Sequence, residues 1–172
     1  HAYFNLAGQA SGSAMHQKAW IDADQFTMAD QYSIPTGDLV PVKGTPMDFT
    51  SLKYIDQDIE ADYEPLKFAG GYDHNWVLKH KEGELALSAK AVDEASGRVM
   101  EVWTDLPGIQ FYTGNFLSPM EGKEKAVYDK RQGYCFETQY FPDAVNHENF
   151  VSPICRAGEA YDTTTVYKFG VR

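Results

Sequence analysis

The chain consists mostly of short segments rich in β-branched and aromatic residues, separated by turn signals at intervals of roughly ten residues. Six of these segments are predicted strands: Trp76–His80, Leu85–Val92, Arg98–Thr104, Ile109–Thr113, Tyr134–Tyr140 and Thr163–Val171. The turn signals between them are Lys81-Glu82-Gly83, Ala95-Ser96-Gly97, Leu106-Pro107-Gly108 and Arg156-Ala157-Gly158. No stretch of a dozen residues spaces its apolar side chains as a helix does. The pattern therefore predicts an all-β fold, either a sandwich or a barrel.

The first third of the chain carries a different signal. Its segment Ile34–Phe49 contains Pro35, Pro41 and Pro46, and three prolines exclude a central strand throughout. We expect this segment to follow an edge in short extended pieces, and the polar segment Ser118–Lys130 to be a long loop or one helical turn. The sequence has no flexible linker or internal repeat, so residues 1–172 are expected to form a single unit.

Charge and cysteine content limit the partners and the compartment. The formal net charge is −10, which predicts repulsion from nucleic acid and from anionic membrane surfaces. No apolar run approaches the roughly 18–20 residues that a transmembrane helix needs. The only cysteines are Cys135 and Cys155, too few for a disulfide framework. We expect two free thiols and a cytoplasmic protein.

The chain begins at His1 rather than at a methionine. This start favours either the removal of upstream residues or a chain that is one piece of a longer protein. A piece can lack part of its functional site.

Several familiar catalytic signatures are missing from the sequence. There is no phosphate-binding glycine loop, Cys-x-x-Cys, His-Glu-x-x-His or Gly-x-Ser-x-Gly motif. Acid–base chemistry by carboxylates and histidines remains. Glu137 and Gln139 share one face of a predicted strand, and Glu137 is either an outward residue or a base that faces a cleft. Gln110 shares a strand face with Tyr112 and by itself is typical of a surface residue.

The segment GGYDHNWVL, Gly70–Leu78, places three polar residues between a glycine pair and an apolar run. Local chemistry favours a structural role for Asp73 as a turn residue that bonds its own backbone. His74 and Asn75 are candidates for capping or bridging loops. No pair of histidines has clear metal-ligand spacing. A terminal histidine such as His1 can bind copper through its amine and its ring, but only with a second histidine nearby.

Taken together, several blocks of the sequence resemble the aldose 1-epimerase (galactose mutarotase) family, in its C-terminal half. These blocks follow the order and spacing of the family over essentially all 172 residues. They are HAYFNLAG (His1–Gly8), IPTG (Ile34–Gly37), GTPMDF (Gly44–Phe49), GYDHNWVL (Gly71–Leu78), SGRVMEVWTDLPGIQFYTGNF (Ser96–Phe116), ETQYFPDAVNHENF (Glu137–Phe150) and RAGEAYDTTTVYKF (Arg156–Phe169).

The resemblance implies part of a large antiparallel β-sandwich that interconverts the α and β anomers of free aldoses such as galactose and glucose, without a cofactor or a metal. The motif glutamate falls on Glu137, the expected general base, and the motif histidine on His1, the expected general acid. Asp73 and Gln110 match sugar-binding positions. The resemblance thus favours a substrate-binding role for Asp73 over the purely structural one.

Family members are roughly twice as long as this chain, so the resemblance implies a companion that carries the upstream half. The alternative function is a non-catalytic sugar-binding or structural remnant of the same scaffold. The presence of all four matched residues favours the enzyme, because a remnant has no chemical need for them.

Overall fold

A computed structural model describes all 172 residues, which form twelve β-strands, one short α-helix and three single turns of 3-10 helix. The strands are β1 (Lys18–Ile21), β2 (Ala23–Ala29), β3 (Pro35–Pro41), β4 (Lys53–Tyr54), β5 (Asp73–Leu78), β6 (Ala86–Val92), β7 (Arg98–Thr104), β8 (Gly108–Tyr112), β9 (Met120–Glu121), β10 (Val127–Tyr128), β11 (Cys135–Gln139) and β12 (Thr165–Val171). The helix α1 spans Glu64–Ala69. None of the helical segments has the length and apolar character needed to cross a bilayer.

Ten of the strands form two five-stranded antiparallel sheets. The first sheet has the order β12-β7-β6-β1-β4 and the second has the order β11-β8-β5-β2-β3. The two remaining strands, β9 and β10, pair as a small separate hairpin. The sheets enclose one cluster of 24 buried apolar residues, to which both sheets contribute. The architecture is an antiparallel β-sandwich, which confirms the predicted fold class.

Large aromatic side chains of the second sheet fill most of the space between the sheets. Trp76, Phe111 and Phe136 are fully buried, and the Phe111 and Phe136 rings stack with centroids 4.7 Å apart. The first sheet meets them with smaller residues such as Ala89 and Ala91, both fully buried. Burial of each large side chain contributes about 1.5–3 kcal/mol, so this core holds the second sheet as a firm support for its outer face.

The six predicted strands are all present, with ends that shift by a few residues, and Arg98–Thr104 coincides with β7. The proline-rich segment contributes β3, which lies at the edge of the second sheet as expected. The sequence analysis did not predict the internal strands β1 and β2 or the helix α1. The segment 118–130 contains one turn of 3-10 helix, as one of the two expected forms, but it also carries the β9–β10 hairpin, which was not predicted.

Strands β11 and β12 are edge strands of different sheets on the same side of the sandwich. The Tyr167 hydroxyl on β12 donates a 2.6 Å hydrogen bond to the Phe136 carbonyl on β11, which joins these edges. Phe169 and Val171 of β12 are 59% and 76% exposed. This side of the molecule therefore presents two unpaired strand edges and exposed apolar side chains.

Candidate active site

Three of the sequence-predicted site residues lie on the outer face of the second sheet. Glu137 on β11 is directly opposite Gln110 on β8, which is in turn opposite Asn75 on β5. Asp73 lies two residues before Asn75, opposite Tyr112. Residues directly opposite each other across antiparallel strands point to the same side, as do residues two apart on one strand. The side chains of all five residues therefore share one face, although they are far apart in the sequence.

The N-terminal segment brings His1 to this same face. Phe4 and Tyr134 exchange two backbone hydrogen bonds of 2.8 and 3.0 Å, which fix the segment beside the start of β11. Fully buried Gln17 accepts a 2.7 Å hydrogen bond from the Tyr134 hydroxyl and donates one of 2.8 Å to the Asn5 side chain. This buried network holds the first residues of the chain over β8 and β11.

His1 and Glu137 lie next to each other on that face. The His1 Nε2 atom is 3.4 Å from Glu137 Oε1. This distance is within ion-pair range, but the geometry does not form a hydrogen bond, and Oε1 is buried without a hydrogen-bond partner. The His1 ring also packs against the rings of Tyr3 and Tyr112, with centroids 5.7 and 5.6 Å away. The Glu137 carboxylate thus has one oxygen free to accept a hydrogen bond, and it lies beside the His1 imidazole, which packs against the two tyrosine rings.

Asp73 is held at the first position of β5 by its neighbours. Its backbone N–H donates a 3.1 Å hydrogen bond to His74 Nδ1. The buried His74 ring also bonds the Pro65 carbonyl, and burial lowers the pKa of His74 to about 4, so the ring stays neutral. Gln110 Nε2 donates a 2.8 Å hydrogen bond to Asp73 Oδ1. The glycine pair before this strand follows α1, with Gly70 at φ +66° capping the helix.

Burial changes the acid–base properties of the carboxylates on this face. It raises the pKa of Glu137, and the Asp73 carboxylate adds to this shift. Burial also raises the pKa of Asp73, against the hydrogen bond from Gln110. Cys135 is buried beside them as a free thiol, and burial raises its pKa to about 12. Glu137 is therefore a stronger base than an exposed glutamate, while Cys135 is an unreactive thiol.

Two further residues belong to the site, and sequence reasoning did not connect them. Gln139 Nε2 lies 3.1 Å from Asn75 Oδ1 and 3.1 Å from Gln110 Oε1. Asn75 is almost completely buried, and its Nδ2 has no hydrogen-bond partner. The shared strand face of Glu137 and Gln139 was visible in the sequence, but the link to Asn75 depends on the pairing of three strands.

The remaining histidines are not part of the His1–Glu137 pair, although His147 packs on Phe150 beside Val77, on the same side of the second sheet. His16, His80 and His147 each contact a protein oxygen elsewhere in the fold. No group of three or more His, Cys, Asp or Glu side chains is placed to hold a metal ion. A cavity of about 450 Å³ lies between residues 3–12 and 117–133 and touches the site only at Tyr3.

An antiparallel sandwich with acid–base groups on the outer face of one sheet matches the galactose mutarotase-like class of folds. An aldose epimerase homologue from C. elegans superposes with a TM-score of 0.81 at 27% identity, over 99% of this chain and 50% of that one. A galactose 1-epimerase from Lactobacillus acidophilus, at 24% identity, shares the fold with a TM-score of 0.78, over 99% of this chain and 47% of that one.

The chain belongs to the aldose 1-epimerase family, whose model matches residues 1–168. It is 45% identical to the galactose mutarotase of Homo sapiens, over 99% of this chain and 48% of the relative. It is 36% identical to the aldose 1-epimerase of Escherichia coli, over 98% of this chain and 49% of the relative. The chain thus spans about half the length of the curated relatives it matches, and family membership agrees with the resemblance found in the sequence.

Proposed function

We propose that this chain carries the catalytic face of an aldose 1-epimerase that interconverts the α and β anomers of free hexoses such as galactose and glucose. The observation that carries the proposal is the pairing of Glu137 Oε1, buried and unbonded, with His1 Nε2 at 3.4 Å. The names of the relatives, galactose mutarotase and aldose 1-epimerase, support the same activity.

The reaction needs one base and one acid. Glu137 takes the proton from the anomeric hydroxyl, and protonated His1 gives a proton to the ring oxygen as the C1–O5 bond breaks. The open aldehyde then rotates about C1–C2. On reclosure the C5 hydroxyl attacks the other face of the carbonyl, returns its proton to His1, and the new anomeric oxygen regains the proton held by Glu137. Protons and electrons balance over the cycle, so no redox cofactor takes part.

The physical setting suits these roles. A base is most effective when its pKa approaches the working pH, and burial moves the pKa of Glu137 upward, in that direction. Asp73 and Gln110 supply a carboxylate and a carboxamide to sugar hydroxyls on the same face, as polar groups of carbohydrate sites do. The exposed ring of Tyr3, which packs against the buried Tyr112 ring, offers apolar surface to the sugar ring.

Polarimetry of the complete protein with freshly dissolved α-D-galactose tests the proposal. The expected result is approach to the equilibrium rotation at a rate proportional to protein concentration. A non-catalytic sugar-binding remnant would bind galactose without changing the spontaneous rate, and that result would contradict the proposal.

We also propose that a companion segment covers the side of the sandwich formed by β11 and β12. The support is the pair of unpaired strand edges with exposed Phe169 and Val171, since such edges pair readily with further strands. Native mass spectrometry would reveal that segment, and a protein consisting of this chain alone would contradict it. The free thiols Cys135 and Cys155 favour a cytoplasmic location.

A further inference from the structure

Gln139 reaches across the sheet because its direct partner has no side chain. It lies opposite Gly108 on β8, and Gly108 lies opposite Val77 on β5. A Cβ atom built on Gly108 would lie 2.5 Å from Asn75 Oδ1 and 2.8 Å from the Phe141 ring. The glycine therefore leaves the space in which the Gln139 amide meets Asn75, and the Phe141 ring packs over that space.

The hydrogen bonds in this network have a direction. The Asp73 carboxylate accepts from Gln110 Nε2, which leaves Gln110 Oε1 facing Gln139. Gln139 meets two oxygens, Gln110 Oε1 and Asn75 Oδ1, and it supplies N–H donors to both. If the Gln110 amide turned over, its oxygen would face the Asp73 carboxylate and its NH2 group would face the Gln139 NH2 group. Both contacts would be repulsive.

We propose that Gln139 is a positioning residue, which fixes the Gln110 carboxamide so that its NH2 group faces Asp73 and a sugar oxygen. The inference rests on the proposed function for its effect on the sugar, while the orientation itself is a property of the protein. Asp73 accepts one hydrogen of the Gln110 NH2 group, and Gln139 Nε2 holds the Gln110 carbonyl on the opposite side. The second NH2 hydrogen is therefore the group that Gln110 presents to a sugar oxygen.

The test compares Gln139→Met with Gln25→Met in the complete protein. Methionine keeps the length of the side chain and removes its donors. Gln25 lies in the same cross-strand row, opposite Val77, but takes no part in the network. We expect Gln139→Met to raise KM for galactose about tenfold, the effect of losing one well-placed hydrogen bond, with kcat changed by less than about threefold. Gln25→Met should match the parent protein.

A double-mutant cycle separates positioning from a general structural effect. If Gln139 acts through Gln110, then Gln139→Met should have no further effect on KM in a Gln110→Met background. An additive effect, or an unchanged KM in the single variant, would overturn the proposal. If Gln139→Met does not fold, Gln139→Glu, which keeps the shape but loses the NH2 donor, should raise KM in the same way. Parental KM in that folded variant would equally overturn it.

A second readout does not depend on activity. The NMR signals of the Gln110 side-chain NH2 group should shift in Gln139→Met and stay in place in Gln25→Met. If the parent protein fails to epimerise galactose but these signals shift, the proposed function is wrong and the positioning role stands. If the parent is active and the signals do not move, the positioning role is wrong.

Discussion

Replacing Glu137 with glutamine removes the proposed base and almost nothing else. The two side chains have nearly the same shape, and the amide can still hydrogen-bond the anomeric hydroxyl, but it cannot accept that hydroxyl's proton. Glu137 Oε1 makes no hydrogen bond in the protein, so the exchange breaks none at that atom. The contact with His1, at 3.4 Å, lacks hydrogen-bond geometry.

The expected loss of turnover follows from the role of a general base. Such a group contributes about 10²–10⁴-fold in rate, or about 3–5 kcal/mol of barrier. Sugar binding should change far less, since Asp73 and Gln110 are untouched.

Stability should stay the same or rise, for an electrostatic reason. Burial and the Asp73 carboxylate raise the pKa of Glu137 in the folded protein, which means that folding disfavours its charged form. This loss of stability is absent at pH values below the pKa of Glu137 in the unfolded protein. It appears as the pH rises through the pKa of Glu137 in the folded protein. The Glu137→Gln variant should therefore melt at or above the parental temperature at neutral pH, and the difference should vanish in acid.

The assay is polarimetry of α-D-galactose, with melting curves of the same samples and Glu148→Gln, an exposed residue of the adjacent loop, as the matched control. A structural glutamate would lower the melting temperature and reduce activity only through loss of folded protein. If the Glu137→Gln variant melts normally and equilibrates the anomers at near the parental rate, Glu137 is not the base and the reasoning fails.

Three further predictions follow from the same site and its surroundings. Parental kcat/KM should fall as the pH is lowered through the raised pKa of Glu137, because only the ionised carboxylate accepts a proton; a flat acid limb in polarimetric rates would argue against this. Thiol titration should find only Cys155 in the native protein and both Cys135 and Cys155 after denaturation, and a missing thiol in the unreduced, denatured sample would reveal a disulfide. Gly108→Ala should destabilise the fold by about 1–3 kcal/mol through overpacking, whereas Gly170→Ala, whose added Cβ would have no neighbour within 4 Å, should be close to neutral. Chemical denaturation measures both effects, and equal unfolding midpoints for the two variants would disprove the close packing around Gly108.

The strands were predictable where apolar and aromatic residues follow a local pattern. Five of the six predicted strands carry residues that pack on the core, whereas β12 is mostly exposed and is held by its pairing with β7. Strand β1 and the start of β2 had a similar signal, since Ala19, Ile21 and Ala23 alternate and are all buried. The pattern was hard to recognise because Asp22 and Asp24 flank Ala23. A bulge after Ala23 also shifts the strand pairing, so the alternation does not continue along β2.

The site itself could be predicted only in part. Local chemistry favoured a turn role for Asp73, whereas pairing with β8 places it on the same face as Glu137. That pairing is a long-range property that no local pattern contains. The same holds for Gln139, whose contact with Asn75 requires a glycine on the strand between them. Family resemblance supplied the candidate residues, and strand register supplied their arrangement.

The decisive measurement is a crystal structure of the complete protein with bound D-galactose. The sugar should lie on the outer face of the second sheet, with its anomeric oxygen about 2.6–3.2 Å from the Glu137 carboxylate and its ring oxygen facing His1. A sugar bound only in the cavity between residues 3–12 and 117–133, or one whose anomeric carbon points away from Glu137, would contradict the proposed mechanism.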